Sequence, residues 1–149
     1  MLEIYCDGGN SAKNKVGGCS AIIIRNSEIM AELSEAYAGA HATNNAMELA
    51  GAILGLTYVL NHPELGKDVT LISDSLYIVD GGSKWLPRWK LKGWKTVTGK
   101  VKNQTLWEAI DYLKTQLNIT FKWTKGHADN ILNNLADSKA VNAYRKLIK

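Results

Sequence analysis

Residues 46–60 read AMELAGAILGLTYVL, and Glu48 is the only charged side chain among them. The run is too long for a strand, and its apolar residues leave no broad polar stripe, as in a helix buried on all sides. A helix is therefore expected over Thr43–Leu60, begun by Thr43 or Asn45 as cap and stopped near Asn61-His62-Pro63. A lone carboxylate on such a helix has no solvated face to occupy. Ala52 and Gly55, further along, are small enough to let a neighbouring element approach closely. The competing reading makes Glu48 the third-position partner of an Asn45 cap.

Upstream, Leu2–Asp7, Gly18–Arg25 and Ile29–Tyr37 read as three short strands. Gly8-Gly9 and Gly17-Gly18 break the first connection, and Asn26-Ser27 marks the second turn. Downstream, Val69–Ser73 reads as a buried strand followed by a short helix from Ser75. Ser83 is expected to cap a helix carrying Trp85 and Trp89, with Pro87 in its first turn. Asn103–Gln116 reads as a helix, Ile119–Trp123 as a strand and Ile131–Ile148 as a final helix. Three strands followed by alternating helices and strands imply an α/β fold, its mixed sheet antiparallel first and parallel later, covered by helices. With no repeat, low-complexity tract or linker, residues 1–149 are expected to form one domain.

The balance of 46% hydrophobic and 21% charged residues excludes wholesale disorder. No apolar run approaches the roughly 20 residues that span a bilayer, and Met1-Leu2-Glu3 does not open a secretory signal. The expectation is a cytoplasmic monomer with no membrane contact and no obligate protein partner. Cys6 and Cys19 then read as small buried hydrophobes that face each other across the first hairpin. The glycosylation-like tripeptides at Asn103 and Asn118 carry no meaning there.

Seven of the 18 basic residues (Lys84, Arg88, Lys90, Lys92, Lys95, Lys100 and Lys102) fall between Gly81 and Trp107, with none of the 14 acidic ones. The net charge of +4 thus conceals a basic block on an otherwise mildly acidic chain, which points to a polyanionic partner. Trp85 and Trp89, one helical turn apart, offer flat surface for sugars or bases, whereas Trp107 and Trp123 are expected in the core.

Asp7 and Asp74 each end an apolar strand. Either alone is an ordinary turn former, but ligands of open α/β sheets bind beyond the carboxyl ends of strands. Asp137 shares a helix face with Ala140, Val141 and Tyr144 and points inward; as a purely structural residue it would pair with Lys139 or Arg145. Carboxylates gathered in a partly dry site repel one another and take up protons or cations. An all-oxygen set suits Mg²⁺ or Mn²⁺, and two such ions are a known means of phosphodiester cleavage.

Taken together these strings resemble the cellular type 1 ribonuclease H family. Asp7-Gly8-Gly9, Thr43-Asn44-Asn45 before Met47-Glu48-Leu49, Ser73-Asp74-Ser75, Gly126-His127 and Asp137 follow the family's order and spacing. The block from Trp85 to Asn103 is similar to its basic protrusion, about residues 81–102. The resemblance implies a mixed five-stranded sheet and hydrolysis of the RNA strand of RNA–DNA hybrids by two-metal catalysis, leaving 5′-phosphate and 3′-hydroxyl ends. It implies that Asp7, Glu48, Asp74 and Asp137 hold two Mg²⁺ ions (Mn²⁺ substituting) and that His127 assists release. Substrate contacts are expected from His41, Thr43, Asn44, Asn45, Trp85, Trp89, Lys90, Lys92, Lys95 and Asn103. Polar Asn44 and Asn45 suit the shallow minor groove of an A-like duplex. Three positions depart from the family: Leu76 stands where Gln is frequent, Asp129 where Gly is frequent, and His41 where the DNA-phosphate pocket uses Arg. No separate hybrid-binding module is expected.

Two other classes compete. A module that only coats hybrids gains nothing from repulsive carboxylates facing phosphates. Transposases and junction resolvases use similar acids but add partner domains or dimer interfaces. A domain cut from a longer polyprotein would carry the same residues.

Overall fold

The first strands form where β-branched and apolar residues alternate with polar ones and pack on both sides. In the computed structural model, which describes residues 1–125 and 130–148, β1 is Leu2–Ser11, β2 Val16–Arg25 and β3 Glu28–Ala38. They pair as an antiparallel meander, with Asp7 opposite Ser20 and Cys19 opposite Glu35. β4 (Asp68–Ser73) lies parallel to β1, and the strand at Asn118–Trp123 lies parallel to β4. Among the described residues the main sheet has five strands, in the mixed order expected.

The strands run further than the glycines suggested. Gly8 pairs with Cys19 and Gly9 with Gly18 inside the ladder, so these residues do not break the first connection and Asp7 does not end its strand. Their smallness serves packing instead. A Cβ on Gly8 would lie 2.2 Å from the carbonyl carbon of Met47 and 2.3 Å from the amide nitrogen of Glu48; one on Gly18 would lie 2.3 Å from the Ala140 carbonyl. Those two glycines let a helix settle on each face of the β1–β2 pair.

The first of these helices is α1 (Asn44–Leu60), with Thr43 as cap: its Oγ1 accepts from the Ala46 amide at 3.2 Å. Asn45 lies inside the helix, so it does not cap it and Glu48 is not its capping partner. Leu49, Ala52 and Leu56 pack with Ile4, Ala21 and Ile23 in the principal core. The opposite face of the sheet buries Ile22 and Ile24 against Ala136 of the last helix.

After β4 the chain forms α2 (Leu76–Asp80), capped by Ser75, a π-helical turn over Gly81–Trp85, and α3 (Leu86–Leu91). Within the π-helical turn, Gly81 and Gly82 sit where a Cβ would enter the rings of Trp107 and Phe121, each 2.3 Å away, so the turn packs against those rings. Ser83 is therefore not a cap; its hydroxyl donates back to the Val79 carbonyl. A two-residue pairing, β5 (Lys95–Thr96) with β6 (Gly99–Lys100), was not expected. There follow α4 (Gln104–Gln116), β7 (Asn118–Trp123) and α5 (Ile131–Arg145).

Two further expectations fail. Cys6 and Cys19 are both buried and free, but Cys6 lies opposite Ala21, so they are diagonal rather than facing. Trp123 is 45% exposed rather than in the core, because β7 is the sheet's last strand; its indole N–H donates to the Asp74 carbonyl at 3.1 Å. Among the described residues no helix is long and apolar enough to cross a membrane.

Candidate active site

The sheet brings Asp7 and Asp74 together because β1 and β4 are adjacent and parallel, and Gly8 lets α1 press Glu48 against them. One carboxylate oxygen from each of Asp7, Glu48 and Asp74 lies within 4.8 Å of the others. Asp7 and Glu48 are buried and Asp74 is half-exposed. Asp137, on α5, is exposed and near enough to Asp7 to act on its carboxyl. Lys139, its candidate structural partner, instead pairs with Glu32 at 3.2 Å. His127 and Asp129 lie outside the described residues.

Burial is the first cause that raises the Asp7 and Glu48 carboxyls far above the usual carboxylate range. For Glu48 the neighbouring charge of Asp7 adds to it; for Asp7 the hydrogen bond with Glu48 and the Gly8 amide partly oppose it. Glu48 Oε2 is buried without a hydrogen-bond partner. A divalent cation fits both facts: it would neutralise the clustered charge and ligate the orphaned oxygen, and the all-oxygen donors suit a hard ion.

Beside the acids, a cleft of about 510 Å³ is lined by Thr43, Asn44, Asn45, Lys102 and Asn103. It lies between the N-termini of α1 and α4, whose free amides and positive dipole ends favour an anion. Asn103 adopts a left-handed conformation (φ 58°) and does not cap α4 with its side chain. Its Nδ2 donates to Tyr77 Oη (3.2 Å), which also accepts from Trp107 Nε1 (2.9 Å). His41 lies next to this cleft, across Asn103, which lines both. It lines a neighbouring, more apolar one of about 550 Å³ with Tyr37, Met47 and Leu106, so Lys102 is the cation at the anion-favouring cleft.

The tryptophans and basic residues divide. Trp85 and Trp89 are half-buried, their ring centroids 6.0 Å apart, and Trp89 also packs edge-on to Trp107. Lys90 is engaged by Asp111 at 3.2 Å and Lys84 by Asp80 at 3.6 Å. Lys92, Lys95, Lys100 and Lys102 are exposed and have no acidic partner among the described residues.

Sheet order and acid cluster together define a ribonuclease H-like α/β fold whose carboxylates could hold a metal ion. The family model for RNase H matches residues 1–145, and the chain belongs to the ribonuclease H family as a type 1, bacterial-type ribonuclease H enzyme. It is 39% identical to the ribonuclease H of Francisella philomiragia over 144 residues, covering 96% of this chain and 90% of that one. It is 41% identical to that of Rhizobium meliloti over 140 residues, covering 93% and 87%. Among solved structures it resembles LC9-RNase H1, a type 1 enzyme with the type 2 active-site motif. There the TM-score is 0.82 at 26% identity, over 97% of this chain and 72% of that one.

Two contacts at the site were not anticipated from sequence. Asn133, only 3% exposed, directs its amide at Asp74, and Trp123 holds the Asp74 backbone. An Asn inside an amphipathic helix carries little signal until its neighbours are known.

Proposed function

We propose that the chain hydrolyses the RNA strand of RNA–DNA hybrids at the Asp7–Glu48–Asp74 cluster, with Mg²⁺ as its metal and 5′-phosphate and 3′-hydroxyl products. The observation that carries this reading is the convergence of three carboxylates with an orphaned Glu48 oxygen, beside an anion-favouring cleft. Asp7, Glu48 and Asp74 would hold the first ion, and the exposed Asp137 would join them in holding a second. Bound there, the metal supplies Lewis-acid stabilisation and a water of lowered pKa.

The remaining work falls to the chain's own groups. Burial keeps bulk water from Asp7 and Glu48, so the site holds a fixed array of oxygens rather than a mobile solvent shell. Lys102, Asn103 and the two helix N-termini bind a phosphate of the DNA strand and fix the register of the duplex. Asn44 and Asn45, exposed on the first turn of α1, reach base edges or 2′-hydroxyls, the groups that distinguish RNA from DNA. Lys92, Lys95 and Lys100 follow the backbone electrostatically, Lys90 less so because of Asp111. Trp85 and Trp89 present their exposed edges to the sugars. His127 assists product release.

Asp7→Asn and Asp74→Asn are the test. Each is expected to abolish Mg²⁺-dependent cleavage of a labelled hybrid while leaving hybrid binding measurable; cleavage that survives either change removes the site assignment.

A further inference from the structure

A closed circuit of hydrogen bonds links the end of β7 to the start of α5 and ends on Asp74. Thr124 follows β7, and its amide donates to the Ser73 carbonyl at 2.9 Å. Its Oγ1 accepts from Asn130 Nδ2 at 2.8 Å, tying the residue after β7 to the cap of α5. Asn130 is the cap of α5, and its Oδ1 accepts from the Asn133 amide at 3.0 Å. One turn into the helix, Asn133 Nδ2 donates to Asp74 Oδ2 at 3.5 Å. Asp74 follows Ser73 directly, so the circuit closes.

Each link uses a group that its partner needs. Asn130 carries one acceptor and one donor end, and the cap and Thr124 take one each, which fixes the orientation of its amide. Asn133 is buried, and its side-chain amide reaches the Asp74 carboxylate. Asp74 is the least buried of the three clustered acids. Fewer surroundings fix the Asp74 side chain than fix the buried Asp7 and Glu48, and the Asn133 amide is one of the contacts that hold it. A neutral donor does so without competing for the cation.

We infer that Asn133 is a positioning residue for Asp74, held in register by the Asn130–Thr124 clasp, and that this circuit presets the cluster for its metal. The inference rests on the reading of Asp7, Glu48 and Asp74 as the cation site.

The test is calorimetric titration of Mg²⁺ into the free protein, with thermal melts in EDTA as a separate readout. Asn133→Ala removes the donor to Asp74 but keeps the backbone amide that Asn130 caps. It is expected to weaken Mg²⁺ binding about tenfold, the low end for losing an outer-shell partner, as suits a long hydrogen bond. Thr124→Val keeps the side-chain shape and the cap but opens the clasp; a loss of about threefold is expected, the scale of one modest hydrogen bond. Combined, the two changes are expected to weaken binding no more than Asn133→Ala alone, because they act through one path. Lower melting temperatures with unchanged Mg²⁺ affinity would show a merely structural role and overturn the inference, as would full additivity. A parent protein that binds no Mg²⁺ would instead overturn the reading of the acid cluster itself.

Discussion

Replacing Glu48 by Gln separates what the site costs the fold from what it gives the reaction. In the metal-free protein the Glu48 carboxyl is raised from 4.5 to a value above neutrality, chiefly by burial and then by the Asp7 charge. A folded-state value raised above the unfolded one means stability is fully present below about pH 4.5 and is lost as pH rises toward the folded value. Over that window the unfolded chain ionises while the folded one keeps its proton. Each pH unit then costs about 1.4 kcal/mol, so at pH 7 the cost is about 3 kcal/mol. Gln keeps the shape and removes the titration. Glu48→Gln is therefore expected to melt about 6–12 °C above the parent at pH 7 in EDTA, given about 2–4 °C per kcal/mol for a chain of this size. The difference should shrink toward zero at pH 4.5. The assay is differential scanning calorimetry of both proteins from pH 4.5 to 7.5, with EDTA throughout. Equal melting temperatures at pH 7, or a difference that does not grow with pH, would refute the argument that Glu48 is a strained, cation-seeking carboxylate.

Two other outcomes follow from the geometry. Replacing Lys92, Lys95 and Lys100 by Ala is expected to flatten the salt dependence of hybrid binding by about one unit of log–log slope per lost phosphate contact. Lys90→Ala should change the slope less because Asp111 already engages it, and fluorescence anisotropy between 50 and 200 mM salt on the order used for such slopes measures both. Gly8→Ala drives a Cβ to 2.2 Å from the Met47 backbone, so α1 must retreat. The expected result is a loss of at least about 2 kcal/mol in urea unfolding together with loss of cleavage, since Glu48 leaves the cluster.

Much of the site was legible in the sequence because its residues violate local rules. Glu48 is the one charge of an apolar helix, and the structure buries it against Asp7 and Asp74. The mixed sheet followed from the order of periodic segments. Gly8 and Gly18 misled because a glycine needed for close helix approach looks, in one dimension, like one needed for a turn; only the packed helix distinguishes them. The glycines of the π-helical turn carry a related ambiguity, since the rings they make room for, Trp107 and Phe121, are distant in sequence from Gly81 and Gly82. Trp123 was placed in the core on hydrophobicity alone, whereas β7 closes the sheet at an edge and its indole N–H has a carbonyl to reach. His41 lines a cleft that shares Asn103 with the one lined by Lys102, a juxtaposition that depends on how α1 and α4 pack and is not visible in the sequence.

The central claim is that this cluster cuts RNA paired to DNA. Its most direct measurement is a gel assay on end-labelled RNA–DNA hybrid, duplex RNA, duplex DNA and single-stranded RNA, each with Mg²⁺ and with EDTA. Cleavage confined to the RNA strand of the hybrid, present with Mg²⁺ and absent with EDTA, is the predicted result. Cleavage that persists in EDTA, or that falls equally on the other three substrates, would contradict it.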